Sequence, residues 1–562
     1  MSPASLPRTG GQLLVEQLIA FGTERVFLVP GESFLPCLDA LHDHAAQIAT
    51  VACRHEGGAA FMAEAHGKLT GRPGICFVSR GPGATNAAIG VHTARQDSTP
   101  MILFVGQVGG DTVDRECFQE VDYRQLFAPL AKWAAQIERA DRIPEYVARA
   151  WAVATSGRPG PVVLALPEDM LATLAGVPLA PLPAAARAEP AVADLQQLQA
   201  AIESARAPLL LLGGSGWDAQ ARADLQAFAE RFALPVAVAW RRLELFDNRH
   251  PNFVGQVSPS MPQAHRALLE AADLVLAVGT RLCEPTTLGY GWLQSPRPSR
   301  RLIHVHPDSG EIGRLCVPEL GLVASHAGFA RAAARLVPTR PRARPDIPAA
   351  PPLPPMPGPL DLNEVGRTVA RMLQQRPACV TAGAGNYALY AHRHIAFDGL
   401  GSQLSPATGA MGYGLPAAIA AALHDPDRTV VCFAGDGCFQ MTMQEMGTAA
   451  QHGLGLVVLL FNNASFGTIR LHQERAYPGR AQATDLVNPD FAALARSYGG
   501  LGRVVTRTEE FAPAFEEALA HAAAHRRPAL LELRYDAELI LPDRTLSQVR
   551  EAARAAATRA AG

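Results

Sequence analysis

Between Pro338 and Leu360 the chain reads PTRPRARPDIPAAPPLPPMPGPL, with proline at ten of 23 positions. Each proline removes a backbone donor and fixes φ, so neither a helix nor a central strand can pass through this stretch. It reads as an extended, semi-rigid linker between domains. A second break rich in Pro and Ala covers about Gly176–Val192. A chain of 562 residues exceeds what one core supports, and roughly three domains of 150 to 200 residues are expected. The breaks set the expected bounds: domains at 10–175, 193–337 and 361–540, the linker at 338–360, and a tail at 541–562.

Each block alternates short apolar, β-branched runs with helical patterns, as parallel sheets with crossover helices do. The predicted strands are Thr50–Cys53 and Ile75–Ser79 in the first block, with the helical pattern GGAAFMAEAHGKL between them. Leu209–Gly214, Pro235–Ala239, Leu274–Val278 and Leu302–Val305 follow in the second, and Thr429–Phe433, Leu456–Phe461 and Ala529–Leu533 in the third. The expected class is α/β, three domains each built on a mainly parallel sheet flanked by helices. The similar character of the two ends allows two related domains around a middle one.

Apolar residues make up 48% and charged residues 18%, and the formal net charge is −2. That balance describes a globular protein with a large core and gives no electrostatic reason to expect nucleic acid or an anionic membrane as partner. Lys68 and Lys132 are the only lysines, so the abundant arginine reflects composition bias more than a phosphate-binding surface. Nine cysteines without a C-x-x-C pair indicate neither a disulfide framework nor a zinc site. Met1 to Gly11 lacks the pattern of a signal peptide, and runs such as Leu456–Phe461 are far shorter than the roughly 20 residues a bilayer needs. A reduced, cytoplasmic setting is the expectation.

The strongest chemical signal is GDGCFQMTMQEMGTAAQHGLGLVVLLFNN, Gly435 to Asn463. It reads as a strand, a loop carrying Asp436, a helix over about Gln440–Gln451, and a strand ending at Asn462-Asn463. A right-handed crossover aligns the C-terminal ends of two parallel strands, so Asp436 and Asn463 converge on one crevice. A carboxylate oxygen, an amide oxygen and a backbone carbonyl are hard ligands suited to magnesium or calcium, with diphosphate oxygens and a water completing an octahedron. Gly435 and Gly437 permit close backbone approach, and the following helix N-terminus favours negative charge. Taken singly, an Asp that caps a helix and an Asn-Asn turn are commonplace; the joint spacing is what points to a metal and diphosphate.

GDG followed at this interval by NN resembles the signature of thiamine-diphosphate-dependent enzymes. The resemblance implies that Asp436 and Asn463 bind the metal, with the carbonyl of Ser465 as third protein ligand, and that Asn386 and Tyr387 stand where relatives carry a diphosphate-contacting Gln-His pair. Glu56, in RHEGGAAFMAEAHG, is by itself equally well a first-turn Glu favoured by the helix dipole. Together with S-x-G-P-G-A-T-N at Ser79–Asn86, however, its surroundings resemble acetolactate synthase large subunits over nearly the whole chain. There the matching glutamate activates the cofactor through its pyrimidine nitrogen. Met411, in SPATGAMGYGLPAA, matches the apolar residue that supports the bent cofactor, with the carbonyl of Gly409 accepting from its amino group; an ordinary core methionine is the other reading. The family arrangement pairs the first, pyrimidine-binding domain of one subunit with the third, diphosphate-binding domain of another, implying a homodimer or a dimer of dimers.

On the substrate side, Gln119 matches the glutamine that reaches the cofactor-bound substrate, and Phe118 and Lys132 would line the entrance. The resemblance places Thr468 in the same pocket. Gly31 lies in the P-G-G loop position, where Glu32 replaces the second glycine and adds a carboxylate. His472 stands where acetohydroxyacid synthases carry the tryptophan that favours 2-oxobutyrate as acceptor, and it reads either as a ligand-facing acid or as a solvated helix residue. None of the 17 histidines is adjacent to another, so the His-His proton donor pair of aldehyde-releasing decarboxylases is missing. The resemblance thus implies decarboxylation of a pyruvate-like 2-oxo acid with transfer to an acceptor, with a lyase or decarboxylase acting on another 2-oxo or 2-hydroxyacyl substrate as alternative.

LLLLGGSG at Leu209–Gly216 is a strand and glycine turn that suits a nucleotide only weakly. A nicotinamide-dependent dehydrogenase would rest on it alone. Acetohydroxyacid synthases hold FAD in this region; His306-x-Asp308, Glu311-Ile312-Gly313 and Arg281 match their pattern, while Leu282-Cys283-Glu284 departs from it. FAD is therefore a further candidate cofactor beside thiamine diphosphate and Mg2+.

Overall fold

The computed structural model describes residues 6–184 and 186–561, the side chains of 560 and 561 excepted. Residues 1–5 of the opening segment, Ala185 in the first break and Gly562 of the tail lie outside the described residues. Three six-stranded sheets carry the chain, with a separate short antiparallel pair, Arg8–Thr9 with Leu174–Ala175.

The first sheet runs in space as Ala49–Ala52, Arg25–Leu28, Gly74–Val78, Met101–Gln107, Pro161–Pro167 and Trp133–Gln136. The third runs as Gln403–Leu404, Ala378–Ala382, Thr429–Gly435, Val457–Asn462, Ala529–Arg534 and Leu501–Val505. Numbered along the chain within each sheet, both follow the order 2-1-3-4-6-5. This shared order is what a pair of related terminal domains requires. The middle sheet, from Phe253–Gln256 through Val236–Val238, Pro208–Leu212, Leu274–Val278 and Arg301–His306 to Leu320–Val323, instead follows 3-2-1-4-5-6, the dinucleotide-fold order. Every central pairing with a described register is parallel. Strands buried on both faces explain the uninterrupted apolar runs: all seven residues of Met101–Gln107 and all five of Pro208–Leu212 are buried.

The chain separates into two compact units. One comprises residues up to Thr50, His66–Pro351 and Phe397–Gln403; the other comprises Val51–Ala65, Pro352–Ala396 and the residues from Leu404 on. The division falls inside the proline-rich linker. In the first unit the first and middle sheets are tied by buried polar links. Arg158 pairs with Glu311 at 2.8 Å, the Ser215 hydroxyl donates to the Asp97 carbonyl at 3.0 Å, and Arg281 reaches Gln96 at 3.1 Å. Lys68, nearly buried, pairs with Asp97 at 2.6 Å. The linker itself is neither helix nor strand, and Arg342 within it donates to the carbonyls of Ile202, Ala205 and Arg206, the orphan acceptors at the end of the helix Val192–Ser204.

One predicted element is corrected. The helix expected over Gln440–Gln451 is replaced by a helix Asp436–Phe439, a 3-10 turn Met443–Glu445 and a helix Met446–Gln451. Asp436 thus opens a helix, with Gly435 at its N-cap, where a loop residue was expected. The break comes at Thr442, whose φ of −142° leaves the helical region and whose hydroxyl donates to the Gly412 carbonyl at 2.7 Å.

Candidate active site

In the second unit, the strands Thr429–Gly435 and Val457–Asn462 run side by side with Gly435 opposite Phe461. Asp436 and Asn463 therefore leave the same sheet edge from neighbouring strands. Asp436 is 2% exposed. Its Oδ1 accepts from the Gly437 amide at 3.0 Å, and its Oδ2 accepts from Asn488 Nδ2 at 2.8 Å. Burial pushes its carboxyl above the usual carboxylate range, while Asn488 and the amides of Gly437, Ser465 and Ala464 oppose the rise.

The loop opposite is a built turn. Ala464 has φ +50°, its amide donates to Asn462 Oδ1 at 3.0 Å, and the Ser465 amide donates to Asn463 Oδ1 at 3.2 Å. Asn488 Nδ2 also reaches Asn462 Oδ1 at 2.8 Å, and Gln440 Nε2 donates to Asn488 Oδ1 at 3.0 Å. Ser465 Oγ is buried and lacks a hydrogen-bond partner. A buried carboxylate, an amide oxygen and a carbonyl on one turn, with an orphaned hydroxyl beside them, fit a hard divalent cation and the anionic group it carries. Among the described residues no group of three or more His, Cys, Asp and Glu side chains is placed to hold a metal, so a softer transition-metal site has no ligands here.

Tyr387 lies beneath this edge. A Cβ on Gly435 would come within 2.8 Å of its ring, and one on Gly383 within 2.7 Å of its hydroxyl. That hydroxyl donates to Cys438 Sγ at 3.0 Å, and the same sulfur accepts from the Gly412 amide at 3.1 Å. Phe461 packs against Tyr387, Tyr390 and Phe433 at 5.6 to 6.0 Å between ring centroids. The Asn386-Tyr387 pair is thus divided: Tyr387, expected beside the diphosphate, turns its hydroxyl inward to Cys438. The Asn386 amide accepts no such burial; its backbone N–H donates to Thr468 Oγ1 at 3.1 Å and its Nδ2 to the Ile540 carbonyl at 3.0 Å. Met411 is half-buried between Gly409, exposed with φ +70°, and Gly412, φ +83°. His472 is exposed on the helix Gly467–Ala476. Glu56 opens the helix Glu56–Thr70 and is half-buried.

In the first unit, Gly31 caps the 3-10 turn Glu32–Phe34, and a Cβ there would meet Ser79 Cβ at 2.7 Å. Arg80 gathers the predicted substrate-side residues. It pairs with Glu168 at 2.6 Å, lies 3.8 Å from Glu32, and donates to the Phe118 carbonyl at 3.4 Å. Gln119 has φ +64° and its carbonyl accepts from the Gly81 amide at 3.0 Å; Phe118 is 70% exposed. Lys132 departs from the expectation of an entrance residue. Its ammonium donates to the carbonyls of Val153 at 2.5 Å and Ser156 at 2.7 Å, the C-terminal end of the helix Ile143–Thr155, and burial pushes its pKa down to about 8. Asn488, Arg80 and Cys438 had no sequence signal: each acts through a contact that no local motif spacing announces.

In the middle sheet the switch point lies between Pro208–Leu212 and Leu274–Val278, which run into Gly213 and Gly279. The imidazole of His326 sits against Gly279 and stacks on Trp217 at 4.6 Å, and Trp217 Nε1 donates to the Gly213 carbonyl at 2.9 Å. Glu311 is held by Arg158 and Arg314, each at 2.8 Å. The rings of His326 and Trp217 thus line the two glycine turns at the switch point.

The comparisons agree with the layout. Residues 8–126 match the thiamine pyrophosphate enzyme, N-terminal TPP binding domain; 195–333 match the central domain; and 383–533 match the C-terminal TPP binding domain. The chain is 32% identical to the acetolactate synthase large subunit of Parasynechococcus marenigrum, over 90% of this chain and 85% of the relative. It is 31% identical to acetolactate synthase isozyme 1 large subunit of Escherichia coli, over 94% of each. The acetolactate synthase large subunit of Corynebacterium glutamicum is 32% identical, over 91% of this chain and 84% of the relative. The chain belongs to the thiamine-diphosphate-dependent enzymes, as an enzyme of the acetolactate synthase large-subunit type. No helix among the described residues is long and apolar enough to cross a membrane.

Proposed function

We propose that this enzyme decarboxylates a pyruvate-like 2-oxo acid and joins the resulting two-carbon unit to a second carbonyl compound, with thiamine diphosphate and Mg2+ as cofactors. The observation that carries the reading is the buried carboxylate of Asp436 facing the Asn463–Ser465 turn. When bound, thiamine diphosphate supplies an acidic thiazolium carbon and an electron sink for loss of carbon dioxide. Asp436, Asn463 and the Ser465 carbonyl would hold Mg2+ and through it the diphosphate, with Gly435, Gly437 and Asn386 along the same edge and Tyr387 as its floor. Glu56 would hold a proton toward the pyrimidine ring of the bound cofactor. The Gly409 carbonyl and Met411 would orient the cofactor.

Gln119, Phe118 and Glu32 from one subunit and Thr468 and His472 from another would border the substrate, where water exclusion decides the outcome. The same reading includes domains at 10–175, 193–337 and 361–540, a homo-oligomer whose active site joins two subunits, and a cytoplasmic setting. The test is product analysis of the purified enzyme with thiamine diphosphate, Mg2+ and a panel of 2-oxo acids. Carboligated hydroxy-oxo acids are expected; an aldehyde as sole product refutes the transfer reading.

A further inference from the structure

A carboxylate lies buried within the second unit that none of the roles above uses. Glu445 is 0% exposed, and an ionisable group so placed needs hydrogen bonds to offset its lost hydration. It has them. The Arg54 amide donates to both oxygens, at 3.1 and 3.3 Å, and the Thr448 hydroxyl donates to Oε2 at 2.6 Å. Burial pushes its pKa up, and Thr448 and the amides of Arg54 and His55 oppose that.

These two amides immediately precede Glu56. The first amides of a helix lack partners within it, and a negative charge there complements the helix dipole. Glu445 thus holds, from 391 residues away, the turn that leads into the helix Glu56–Thr70, whose first turn is itself capped by His55, with the Gly57 amide donating to His55 Nδ1 at 3.0 Å. Gly58 makes room for it, since a Cβ at that position would lie 2.5 Å from Glu445 Oε1. The Arg54 guanidinium extends the contact to Thr448 at 3.3 Å and Gln451 at 2.7 Å. Two turns further along, the same helix is gripped again. The Tyr413 hydroxyl donates to the fully buried Glu64 at 2.6 Å, and its ring meets Phe61 edge-on at 5.5 Å.

We infer that Glu445 is a positioning residue for Glu56: it fixes the start of the helix from which that carboxylate projects, while Tyr413 fixes the helix's rotation. A proton-holding group displaced by about 1 Å loses on the order of 100-fold in rate, so an anchor on the turn just before Glu56 is felt in the chemistry and not only in stability. This inference rests on the reading of Glu56 given above.

The test uses the holoenzyme with thiamine diphosphate and Mg2+, comparing Glu445→Ala, Glu445→Gln and Glu56→Gln. Three quantities are measured: deuterium exchange at the thiazolium C2 by rapid quench, kcat and KM separately, and amide hydrogen exchange of residues 52–60 in the cofactor-free protein. Glu445→Ala is expected to slow C2 exchange and kcat by about 10- to 100-fold, to leave KM and cofactor affinity within about threefold, and to lose amide protection at residues 54–58. Glu445→Gln keeps one acceptor and should recover part of each; it also carries the test should the alanine variant fail to fold. Wild-type C2 exchange in either folded Glu445 variant, with Glu56→Gln slowed, overturns the positioning role alone. Wild-type exchange in Glu56→Gln overturns the Glu56 reading and this inference with it.

Discussion

Asn488 Nδ2 stands 2.8 Å from Asp436 Oδ2 and 2.8 Å from Asn462 Oδ1, joining the two strand ends that frame the edge proposed to hold the metal. A partner of this kind aims the carboxylate before any cation arrives. Asn488→Ala is expected to weaken Mg2+-dependent cofactor retention by about 10- to 100-fold, the usual effect of losing a group that orients a ligand. Asp436→Ala should lose retention altogether. Calorimetric titration of thiamine diphosphate at limiting Mg2+ measures both, and unchanged affinity in Asn488→Ala would contradict the orienting role.

Gly435→Ala should destabilise the fold by about 1–3 kcal/mol, because its new methyl would meet the Tyr387 ring, which the aromatic cluster around Phe461 holds in place. Tyr387→Ala in the same chain removes the clash. Urea unfolding of the two single variants and the double variant should show a coupling of the order of 1 kcal/mol; strict additivity would refute the contact.

The third prediction concerns acid. Burial, with His304 beside it, holds the His306 imidazole down to about 4 from an ordinary 6.5. A base whose folded pKa is depressed contributes stability that is complete above its unfolded value, here about pH 6.5, and is lost as pH falls toward 4. The slope from one such group is about 1.4 kcal/mol per pH unit. His306→Asn keeps an acceptor for the Asp308 amide, which donates to His306 Nδ1 at 3.0 Å, and should flatten the fall in stability between pH 6.5 and 4. Denaturant midpoints at four pH values decide it, and an unaltered slope is the contrary result.

Acceptor choice is the fourth. With His472 exposed and Glu32 67% exposed beside Arg80, pyruvate and 2-oxobutyrate offered together should give no strong preference for the larger acceptor. His472→Trp should shift the product ratio toward 2-oxobutyrate by roughly tenfold, the worth of about one well-buried methylene. A wild-type ratio already strongly favouring 2-oxobutyrate refutes this assignment of the pocket.

What could be read from the sequence follows from how local each signal is. Leu274–Val278 was placed to the residue because a short apolar run between breakers has one explanation in a parallel sheet. The helix expected at Gln440–Gln451 was misjudged because Thr442 leaves helical geometry for a carbonyl 30 residues away, a contact periodicity does not encode. Asp436 and Asn463 were legible from spacing along one crossover, whereas Asn488 reaches Asp436 across 52 residues. The sequence places Lys132 at an entrance, and only the packing of the helix Ile143–Thr155 reveals its ammonium on carbonyls.

The two lysines have a practical consequence. Lys68 is locked to Asp97 with both side chains nearly buried, and Lys132 is bound to two helix-end carbonyls. The positive side-chain charge that meets solvent is therefore carried by guanidinium groups, which stay protonated across the working pH range. Acylating reagents and amine-directed cross-linkers therefore have only two lysine side chains to meet, Lys68 nearly buried and Lys132 half-buried, and of these Lys132, with its pKa lowered to about 8, is the one expected to react.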